Sequence, residues 1–525
     1  MKMAVLQRDM ALLPRVADEP NHKVILMLQR KSFSGFLASI GIGLLLGQSL
    51  HAAEPVGANV ALASLDPIFE KFMADNHIPG LVYGVVVDGK LARVRAFGVQ
   101  DFTSNTPVTT DTVFRIASMS KQLAALATLK LRDAGKLSLD APAERYIPEL
   151  KGFKYPTADS PKILVRDLLS HAAGFVTDDP WGDRQLDMKE ADFSRLLAGG
   201  VPFSRAPGVG YEYSNFGFAL VGRLITNTSK THYADYVTAS LIKPLGMTST
   251  SYDIAKAPAG HRAVGYRWEN NAWLEEPTLG PGVFGAMGGL TTTANDYARY
   301  VAWVLQAWPP RDGAEDGILR RSSVREIARP ANYATVVPAA DPTGCALSRS
   351  YGFGVIPFYD CVLGFHFGHS GGLPGFGSNV LMLPLRGVGV FAFANRTYAP
   401  AARAVREAAN TLVQSGAFPV RATPLSPQLA AAAQIIGRIY SSGDVSTERD
   451  SLAVNFLMDQ SAPLRNKQLA TLKETLGACE TPLPADGDTA MSTTFSFTCE
   501  HGVLKAKVIL APTTPVQLQT LEFTQ

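Results

Sequence analysis

The sequence predicts an α+β fold in which one antiparallel sheet is completed by distant segments around a helical insertion. Residues 81–87 and 91–97 are apolar runs separated by an Asp-Gly turn, and 379–383 and 388–393 flank a Pro-Leu-Arg-Gly turn, so each pair predicts a β-hairpin. The segment from about 140 to 345 contains many Gly and Pro breaks and favours helices and loops. Strands at both ends of a helical middle indicate one sheet whose strands are far apart in sequence.

Helices are predicted beside these strands. Residues 65–77 form an amphipathic pattern, a helical run continues from Ser118 towards Asp133, and 401–413 is rich in Ala. The predicted sheet therefore has helical segments before, within and after it.

A second, smaller domain is predicted at the C-terminus. The three prolines of 418–427 indicate a linker between a domain at 54–417 and a small α+β domain of unknown role at 428–525. The elements predicted in the small domain are helices at 428–440 and 462–476 and strands at 495–499, 503–510 and 516–523.

The composition is that of a soluble globular protein. Of the 525 residues, 46% are hydrophobic and 18% are charged, and the formal net charge is +3. Without a Lys/Arg run, this small charge argues against binding to nucleic acid or another polyanion. No His-Glu-x-x-His motif or clustered His/Asp spacing occurs, so we expect neither a metal nor another cofactor.

Four cysteines allow three complete pairings. The pairs closest in sequence are Cys345 with Cys361 and Cys479 with Cys499, and free buried thiols are the alternative. None of the four has a Cys-x-x-Cys spacing, so zinc ligation is not expected.

The N-terminal region has the pattern of a secretory signal. Arg30 and Lys31 precede an almost uncharged run at 36–50, and small residues up to Ala53 offer a cleavage site. We therefore expect residues 1–53 to be a signal peptide. The alternative is an uncleaved membrane anchor, but the run is shorter than the roughly twenty residues that span a bilayer.

The segment before Met27 is long and irregular for the basic part of a signal, so we expect Met27 to be the true start. A signal of this kind predicts export to the periplasm or the outside of a bacterial cell. No membrane span is expected to remain after cleavage.

The first chemical pattern is Ser118-Met119-Ser120-Lys121. A serine and a lysine at this spacing share one helix face, and a partly desolvated lysine can take the proton of the serine hydroxyl. The pattern is weak by itself, because Ser240-Leu241-Ile242-Lys243 matches it as well. A pair on a helix surface is the structural alternative.

The second pattern is Tyr213-Ser214-Asn215. A tyrosine beside a lysine ammonium is expected to have a lowered pKa and to pass protons to a leaving group. The amide of Asn215 offers a donor and an acceptor for a substrate carbonyl or for Lys121. A buried aromatic residue followed by a turn-forming Asn would look the same.

The third pattern, Phe-Gly-His-Ser-Gly-Gly at 367–372, precedes the predicted strand at 379–383. Glycines at a strand edge let a substrate approach the backbone closely. The backbone N–H groups of Gly372 and Ser118 are then candidates for an oxyanion hole. His366-Phe367-Gly368 is a competing His-x-Gly register.

In this order and spacing, the three patterns resemble the serine β-lactamase-related superfamily, which includes class C β-lactamases, D-alanyl-D-alanine carboxypeptidases and esterases. The resemblance extends from about 65 to 414. Further matching segments are Phe-Arg-Ile-Ala at 114–117, Leu-Leu-Ser-His-Ala-Ala-Gly at 168–174, Pro-Gly at 207–208 and Gly-Gly-Leu-Thr-Thr at 288–292. We interpret His171 in the second of these as a packing residue.

The resemblance implies that Ser118 is the acylated nucleophile, Lys121 its proton acceptor and Tyr213 the general acid and base. It also implies that Asn215 orients Lys121 and the substrate, and that Ser118 and Gly372 donate the oxyanion hydrogen bonds. The implied fold is an antiparallel sheet flanked by helices, with a helical subdomain and the site at their junction. The implied substrate is a small or peptide-like molecule.

The sequence departs from the family pattern at one motif that bears on substrate choice. His369-Ser370-Gly371, expected to bind substrate, stands where β-lactamases and peptidases of this type usually have Lys-Thr-Gly or Lys-Ser-Gly. That lysine meets a substrate carboxylate, whereas histidine is mostly neutral at pH 7. Esterase-like and D-amino-acid-amidase-like relatives are more similar to this variant.

We therefore expect hydrolysis of an ester or amide through a Ser118 acyl-enzyme, esterase-like rather than efficiently β-lactamase-like. The alternatives within the family are a β-lactamase, a D-Ala-D-Ala carboxypeptidase and a D-aminopeptidase. A non-catalytic binding or sensor protein on the same fold is a further alternative, although all three expected catalytic side chains are present.

A different hydrolase class is a rival, because residues 368–372 satisfy the Gly-x-Ser-x-Gly nucleophile elbow around Ser370. An elbow must follow a strand and open a helix, yet Pro374 follows and would break a helix. The later triad histidine would have to be His501, in the C-terminal domain.

The signal pattern predicts that mature protein from a bacterial periplasm begins near Glu54, because small residues precede this position. N-terminal sequencing of the mature product checks this, with Ala53→Phe as a variant that should slow cleavage. A membrane-bound product that begins at Met1 or Met27 would contradict the prediction.

Overall fold

A computed structural model of the chain describes residues 57–339, 344–421, 424–480 and 489–525. The predicted signal peptide at 1–53 lies outside these ranges. Within them, no helix is both long and apolar enough to cross a membrane.

The larger part of the chain is built on one antiparallel sheet. The strands are β1 (Gly80–Val87), β2 (Lys90–Asp101), β3 (Thr106–Pro107), β4 (Phe114–Arg115), β5 (Tyr266–Glu269), β6 (Ala272–Glu275), β7 (Thr291–Thr292), β8 (Asn332–Val337), β9 (Leu347–Tyr351), β10 (Ile356–Asp360), β11 (Gly364–Leu373), β12 (Phe376–Leu383) and β13 (Val388–Ala394). Nine of them pair in the order β3-β2-β1-β13-β12-β11-β10-β9-β8, while β4 pairs with β7 and β5 with β6. Since β1–β3 precede the helical insertion and β8–β13 follow it, the predicted sheet of distant segments is confirmed.

Helices cover both faces of the sheet and fill the insertion. They are α1 (Ala58–Ala63), α2 (Asp66–Asp75), α3 (Ser120–Asp133), α4 (Val165–Leu169), α5 (Glu190–Gly199), α6 (Asn215–Ser229), α7 (Tyr233–Val237), α8 (Gly285–Gly288), α9 (Ala294–Leu305), α10 (Arg321–Glu326) and α11 (Ala402–Gln414).

The side chains of β1 point alternately into two hydrophobic cores, one on each face of the sheet. Leu81, Tyr83 and Val85 belong to the core shared with α2 and α11. Val82 and Val86 belong to the larger core, which contains the buried faces of α3, α6 and α9. This follows from the period of two in a strand. The sheet therefore holds the helical insertion on one face and the terminal helices on the other.

Two features of the middle segment differ from the sequence-based prediction. Strands return with β8, inside the segment 140–345 that was predicted as helices and loops. β8 is an edge strand with mostly exposed side chains, so it lacks the apolar alternation that marks a strand. The hairpin β5–β6 is joined by Asn270 and Asn271, at positive φ values of 51° and 59°, a conformation that Asn tolerates well.

The C-terminal part forms a small sheet domain. Its elements are α12 (Pro427–Ser442), α13 (Phe456–Asp459), α14 (Ala462–Leu476), β14 (Ser492–Cys499), β15 (Gly502–Leu510) and β16 (Leu518–Thr524). The three strands form an antiparallel sheet, and the buried side chains of the domain make a hydrophobic cluster of their own. The boundaries 54–417, 418–427 and 428–525 stay predictions.

Both disulfides join the cysteines that are closest in sequence. Cys345, before β9, pairs with Cys361 in the turn between β10 and β11. Cys479, after α14, pairs with Cys499 at the end of β14. The pairing that the sequence left open is thus the local one.

Candidate active site

Ser118 lies in a tight turn at the start of a buried helix. The 3₁₀ turn Ala117–Met119 leads directly into α3, so Lys121 follows one helical turn later on the same face. Ala117 has a left-handed φ of 50°, which is uncommon for a residue with a Cβ and occurs at functional sites. The turn leaves Ser118 at the wall of a cavity.

Lys121 is completely buried, and its amine nitrogen has three partners. Nζ lies 2.9 Å from Ser118 Oγ, 2.7 Å from Asn215 Oδ1 and 3.0 Å from the carbonyl oxygen of Met287. The amide and carbonyl oxygens only accept hydrogen bonds, so a neutral amine gives them its two N–H bonds and keeps its lone pair for the Ser118 hydroxyl. This geometry suits an amine that takes a proton from Ser118.

The electrostatic surroundings of Lys121 act in two directions. Burial lowers the pKa of Lys121 from its ordinary 10.5 to about 8, while the charges of Asp179, Asp183 and Asp178 raise it. Burial has the larger effect. With a pKa near 8, Lys121 is neutral in roughly a tenth of the molecules at pH 7.

Tyr213 donates its hydroxyl to the same serine oxygen, at 2.9 Å from Ser118 Oγ. Lys121 Nζ lies 5.0 Å from the centre of the Tyr213 ring. Burial, and after it the charge of Asp179, raises the pKa of Tyr213 well above its ordinary value. The sequence-based expectation of a lowered pKa is therefore wrong, because burial and the charge of Asp179 both raise it. Tyr213 remains a protonated phenol, and thus a proton donor, at neutral pH.

The cavity beside Ser118, of about 560 Å³, is lined on one side by the edge of β11. β10 pairs with β11 only as far as Gly368, so among the described residues no strand pairs with this edge on the β10 side from His369 onwards. Gly371 packs against the Ser118 turn, since a Cβ there would lie 2.3 Å from the carbonyl oxygen of Ile116. The predicted residues Ser118, Tyr213, His369, Ser370, Gly371 and Gly372 all line this cavity.

Asn215 connects Lys121 to an acidic segment. α6 begins at Asn215, where the Ser214 side chain caps the helix and Asp178 accepts the backbone N–H of Asn215 at 2.6 Å. The side-chain Oδ1 accepts from Lys121, and Nδ2 donates to Asp179. Asn215 is fully buried and both ends of its amide are engaged. Contact with Lys121 is thus present, and contact with substrate stays a prediction.

His369 is held as a neutral ring. Its Nδ1 lies 2.5 Å from the Ser370 carbonyl oxygen, which only accepts, so Nδ1 carries the proton. Tyr351 then donates its hydroxyl to Nε2 at 2.9 Å. Burial and the charge of Lys121 lower the pKa of His369 to about 3. The one N–H of the neutral His369 ring is therefore bonded within the protein, and contact of His369 with a substrate stays a prediction.

The competing His-x-Gly register lies elsewhere. His366 is fully buried on the opposite face of β11, with Nε2 3.3 Å from an Arg406 nitrogen and near Asp360. It does not line the cavity in the described structure.

The nucleophile-elbow interpretation of Ser370 is wrong. Ser370 lies within strand β11, which continues into β12 and not into a helix. Its hydroxyl accepts the amide Nδ2 of Asn379 at 2.9 Å. A residue in the middle of a paired strand cannot occupy the sharp strand-to-helix turn that an elbow requires.

The second Ser-x-x-Lys match has no comparable geometry. Ser240 lies in the helical turn Thr238–Ile242, and its hydroxyl is buried without a hydrogen-bond partner. Lys243 is exposed. Only the match at Ser118 and Lys121 joins its serine and lysine among the described residues.

Charged residues that the sequence analysis did not single out also line the cavity. Asp179 and Asp183 lie in and after an Asp-Asp-Pro turn, and Arg349 lies on the unpredicted strand β9. The turn pattern was visible, but it belongs to no catalytic motif. In the described ranges, no group of three or more His, Cys, Asp or Glu side chains could hold a metal ion.

Residues 65–415 match the model of the beta-lactamase family. The chain belongs to this family. The resemblance predicted from Ser118, Lys121, Tyr213 and the β11 motif is thereby confirmed, and family members are serine hydrolases.

Curated relatives are similar to parts of the chain. The protein Flp of Staphylococcus aureus strain N315 is 30% identical over 215 residues, which cover 41% of this chain and 43% of that protein. Beta-lactamase-like protein 2 of Dictyostelium discoideum is 31% identical over 261 residues, or 47% of this chain and 46% of that protein. The chain thus spans less than half the length of these relatives.

Two solved structures share the fold. An octameric penicillin-binding protein homologue from Pyrococcus abyssi superposes with a TM-score of 0.56 at 18% identity, covering 88% of this chain and 99% of that one. The D-alanine carboxypeptidase AmpC from Burkholderia cenocepacia gives a TM-score of 0.54 at 22% identity, covering 68% of this chain and 100% of that one.

The buried lysine predicts a pH-dependent stability difference between the wild type and Lys121→Met. The folded-state pKa is about 8 against an ordinary 10.5, so between these pH values the unfolded wild type binds more protons and wild-type stability rises with pH. Relative to Lys121→Met, the wild type should gain up to about 3 kcal/mol from pH 8 to 10.5. Denaturant unfolding of both proteins across this range measures the change.

Lys243→Met is the control, because it removes an exposed lysine from the other Ser-x-x-Lys match. The difference in stability at any single pH also includes the loss of the hydrogen bonds from Lys121 to Asn215 and Met287. The change of this difference with pH is therefore the decisive measurement. A difference between wild type and Lys121→Met that stays constant would contradict the lowered pKa.

Proposed function

We propose that the protein is a serine hydrolase that forms an acyl-enzyme on Ser118 with an ester or amide substrate. The observation that supports this most is the double contact at Ser118 Oγ, with a buried amine at 2.9 Å and a phenol at 2.9 Å. A base and an acid on one nucleophile are what acyl transfer needs.

In the proposed mechanism, Lys121 takes the hydroxyl proton as Ser118 Oγ attacks the substrate carbonyl. The backbone N–H groups of Ser118 and Gly372 stabilise the resulting oxyanion. Tyr213 protonates the leaving group as its bond to the acyl carbon breaks, and the proton on Lys121 restores the phenol. Water then attacks the acyl-enzyme by the reverse sequence, and Ser118 regains its proton.

We propose that the substrate is an ester more readily than a β-lactam. The side chain at 369 offers no positive charge, and its single N–H is bonded to Ser370 O. A neutral acyl or leaving group therefore meets less desolvation cost there than a carboxylate would. We place this activity outside the cytoplasm, on the exported chain that the signal pattern predicts.

A second candidate, a β-lactamase or D-peptidase, is favoured by Arg349. Its guanidinium lies at the cavity beside Tyr211 and His369, and its Nε is buried without a hydrogen-bond partner. A guanidinium there could take the substrate carboxylate that a lysine at 369 would otherwise bind.

The nucleophile is tested with p-nitrophenyl butyrate. Ser118→Ala should lower kcat/KM by at least roughly 1,000-fold, because the acyl-enzyme cannot form. Ser370→Ala should keep a substantial part of the activity and Ser240→Ala most of it, since neither serine contacts Lys121. Mass spectrometry after fluorophosphonate treatment should locate the adduct on Ser118.

Loss of activity in Ser370→Ala with retention in Ser118→Ala would reverse the assignment. A folded wild type that neither hydrolyses the ester nor takes the label would favour the non-catalytic binding protein.

Substrate preference is tested by comparing p-nitrophenyl butyrate with nitrocefin. The ester should exceed the β-lactam in kcat/KM by at least roughly tenfold, which is about 1.4 kcal/mol of transition-state binding. Arg349→Met should lower nitrocefin hydrolysis more than ester hydrolysis if the arginine holds a carboxylate. A wild type that prefers nitrocefin, together with selective loss in Arg349→Met, would replace the ester proposal by the second candidate.

A further inference from the structure

His171 is bonded to the main chain on both sides of Tyr213. Its backbone carbonyl oxygen accepts the Glu212 N–H at 2.9 Å, and its ring Nδ1 accepts the Ser214 N–H at 3.1 Å. Glu212 and Ser214 are the residues immediately before and after Tyr213. One buried histidine therefore holds both chain neighbours of the residue that is proposed above as the proton donor.

The hydrogen bond from Ser214 fixes the tautomer of the His171 ring. A ring nitrogen that accepts a backbone N–H carries no proton, so a neutral His171 has its proton on Nε2. Burial, and after it the charge of Lys121, lowers the pKa of His171 well below its ordinary value. The ring is thus neutral at pH 7, and Nδ1 stays available as an acceptor.

Packing alone does not account for a histidine at position 171. Nε2 is buried and has no hydrogen-bond partner among the described residues, which is unfavourable for an N–H group. An apolar side chain would fill the same space without this penalty. It could not, however, accept the N–H of Ser214, which is itself buried and uses its side chain to cap α6.

The backbone of His171 also has an unusual conformation. Its φ of 55° lies in the left-handed region, which is uncommon for residues other than Gly and is found at functional sites. In this conformation the backbone oxygen and the ring nitrogen of one residue bond to Glu212 and Ser214, two positions apart on the same segment. The strained turn thus forms a clamp around position 213.

The His171 ring contacts the phenol ring of Tyr213 as well as its main chain. The two ring centres are 4.3 Å apart, and the Tyr351 ring lies 4.3 Å from His171. Tyr213 places its hydroxyl 2.9 Å from Ser118 Oγ. Displacement of a catalytic group by about 1 Å can lower a rate roughly 100-fold. Contacts that fix both the backbone and the ring of Tyr213 therefore bear directly on the reaction.

We propose that His171 is a positioning residue that holds the Tyr213 phenol on Ser118 Oγ. It acts through the hydrogen bonds to Glu212 and Ser214 and through the ring contact, and it does not itself line the cavity in the described structure. This inference rests on the proposed function, because it assumes that Tyr213 protonates the leaving group. Loss of the Nδ1 acceptor should then affect most the substrates whose leaving group depends on protonation.

The test compares p-nitrophenyl butyrate with ethyl butyrate, two esters that share one acyl group. p-Nitrophenolate leaves with little acid help, whereas ethoxide is a strong base that must be protonated as it leaves. The ratio of kcat/KM for the p-nitrophenyl ester to that for the ethyl ester therefore reports protonation of the leaving group. Tyr213→Phe should raise this ratio at least roughly tenfold, and His171→Leu, which has no acceptor, should raise it at least roughly tenfold as well.

His171→Asn is the conservative variant. Its Oδ1 is as many bonds from the backbone as Nδ1 of histidine, and Asn tolerates the left-handed region. It should keep the ratio within about threefold of wild type, because the Ser214 N–H keeps its acceptor. A role confined to packing would give the opposite order, since Leu fills the space of the imidazole better than Asn does.

Two further variants test whether His171 acts through Tyr213. The double variant Tyr213→Phe/His171→Leu should differ from Tyr213→Phe by less than about threefold in the ratio, since the phenol is already absent. His366→Leu is the matched control, because His366 is another fully buried histidine and does not line the cavity in the described structure. It should leave the ratio unchanged.

Rates are divided by the amount of Ser118 that fluorophosphonate labels at completion, so that unfolded protein is not counted. If His171→Leu yields no labelled protein, His171→Gln replaces it, since its side-chain oxygen lies one bond further out, as Nε2 does. A ratio that stays within about threefold of wild type in this variant, or that rises as much in His171→Asn, overturns the proposal. Failure of the proposed function is distinguished by Tyr213→Phe, which would then itself leave the ratio unchanged.

Discussion

The buried amine of Lys121, which contacts no carboxylate in the described part of the chain, is the constraint on which the site depends. Lowering its pKa from 10.5 to about 8 corresponds to a cost of about 3 kcal/mol at neutral pH. The amine stays buried because α6 and α8 each bring one acceptor to it, Asn215 Oδ1 and the Met287 carbonyl. Glycine favours their close approach, since a Cβ at Gly222 of α6 would lie 3.0 Å from the Ala286 Cβ of α8.

The features of this arrangement that depend on spacing within one segment could be predicted from the sequence. Residues three apart lie on the same face of a helix, as Ser118 and Lys121 do. Each hairpin is marked by the turn residues between its two strands. The order of the three patterns then indicated the family, and with it a sheet closed by distant strands. These features need no knowledge of which side chains are buried, so they could be predicted.

What escaped prediction depends on contacts between distant segments. The Met287 acceptor is a backbone carbonyl, which no motif marks. The Tyr351 hydroxyl, which donates to His369 Nε2, comes from β9, a strand that the sequence analysis did not predict. The pKa of Tyr213 was predicted in the wrong direction because the neighbouring lysine was visible in the sequence, while burial and Asp179 were not. Arg349, Asp179 and Asp183 were missed because their places are set by the fold.

The buried lysine is coupled through its charge to three nearby carboxylates. Protonated Lys121 is itself a cation near Asp178, Asp179 and Asp183, and these carboxylates stabilise its charged form. Because these carboxylates oppose the effect of burial, the pKa of Lys121 falls only to about 8, and the lysine remains mostly protonated at pH 7.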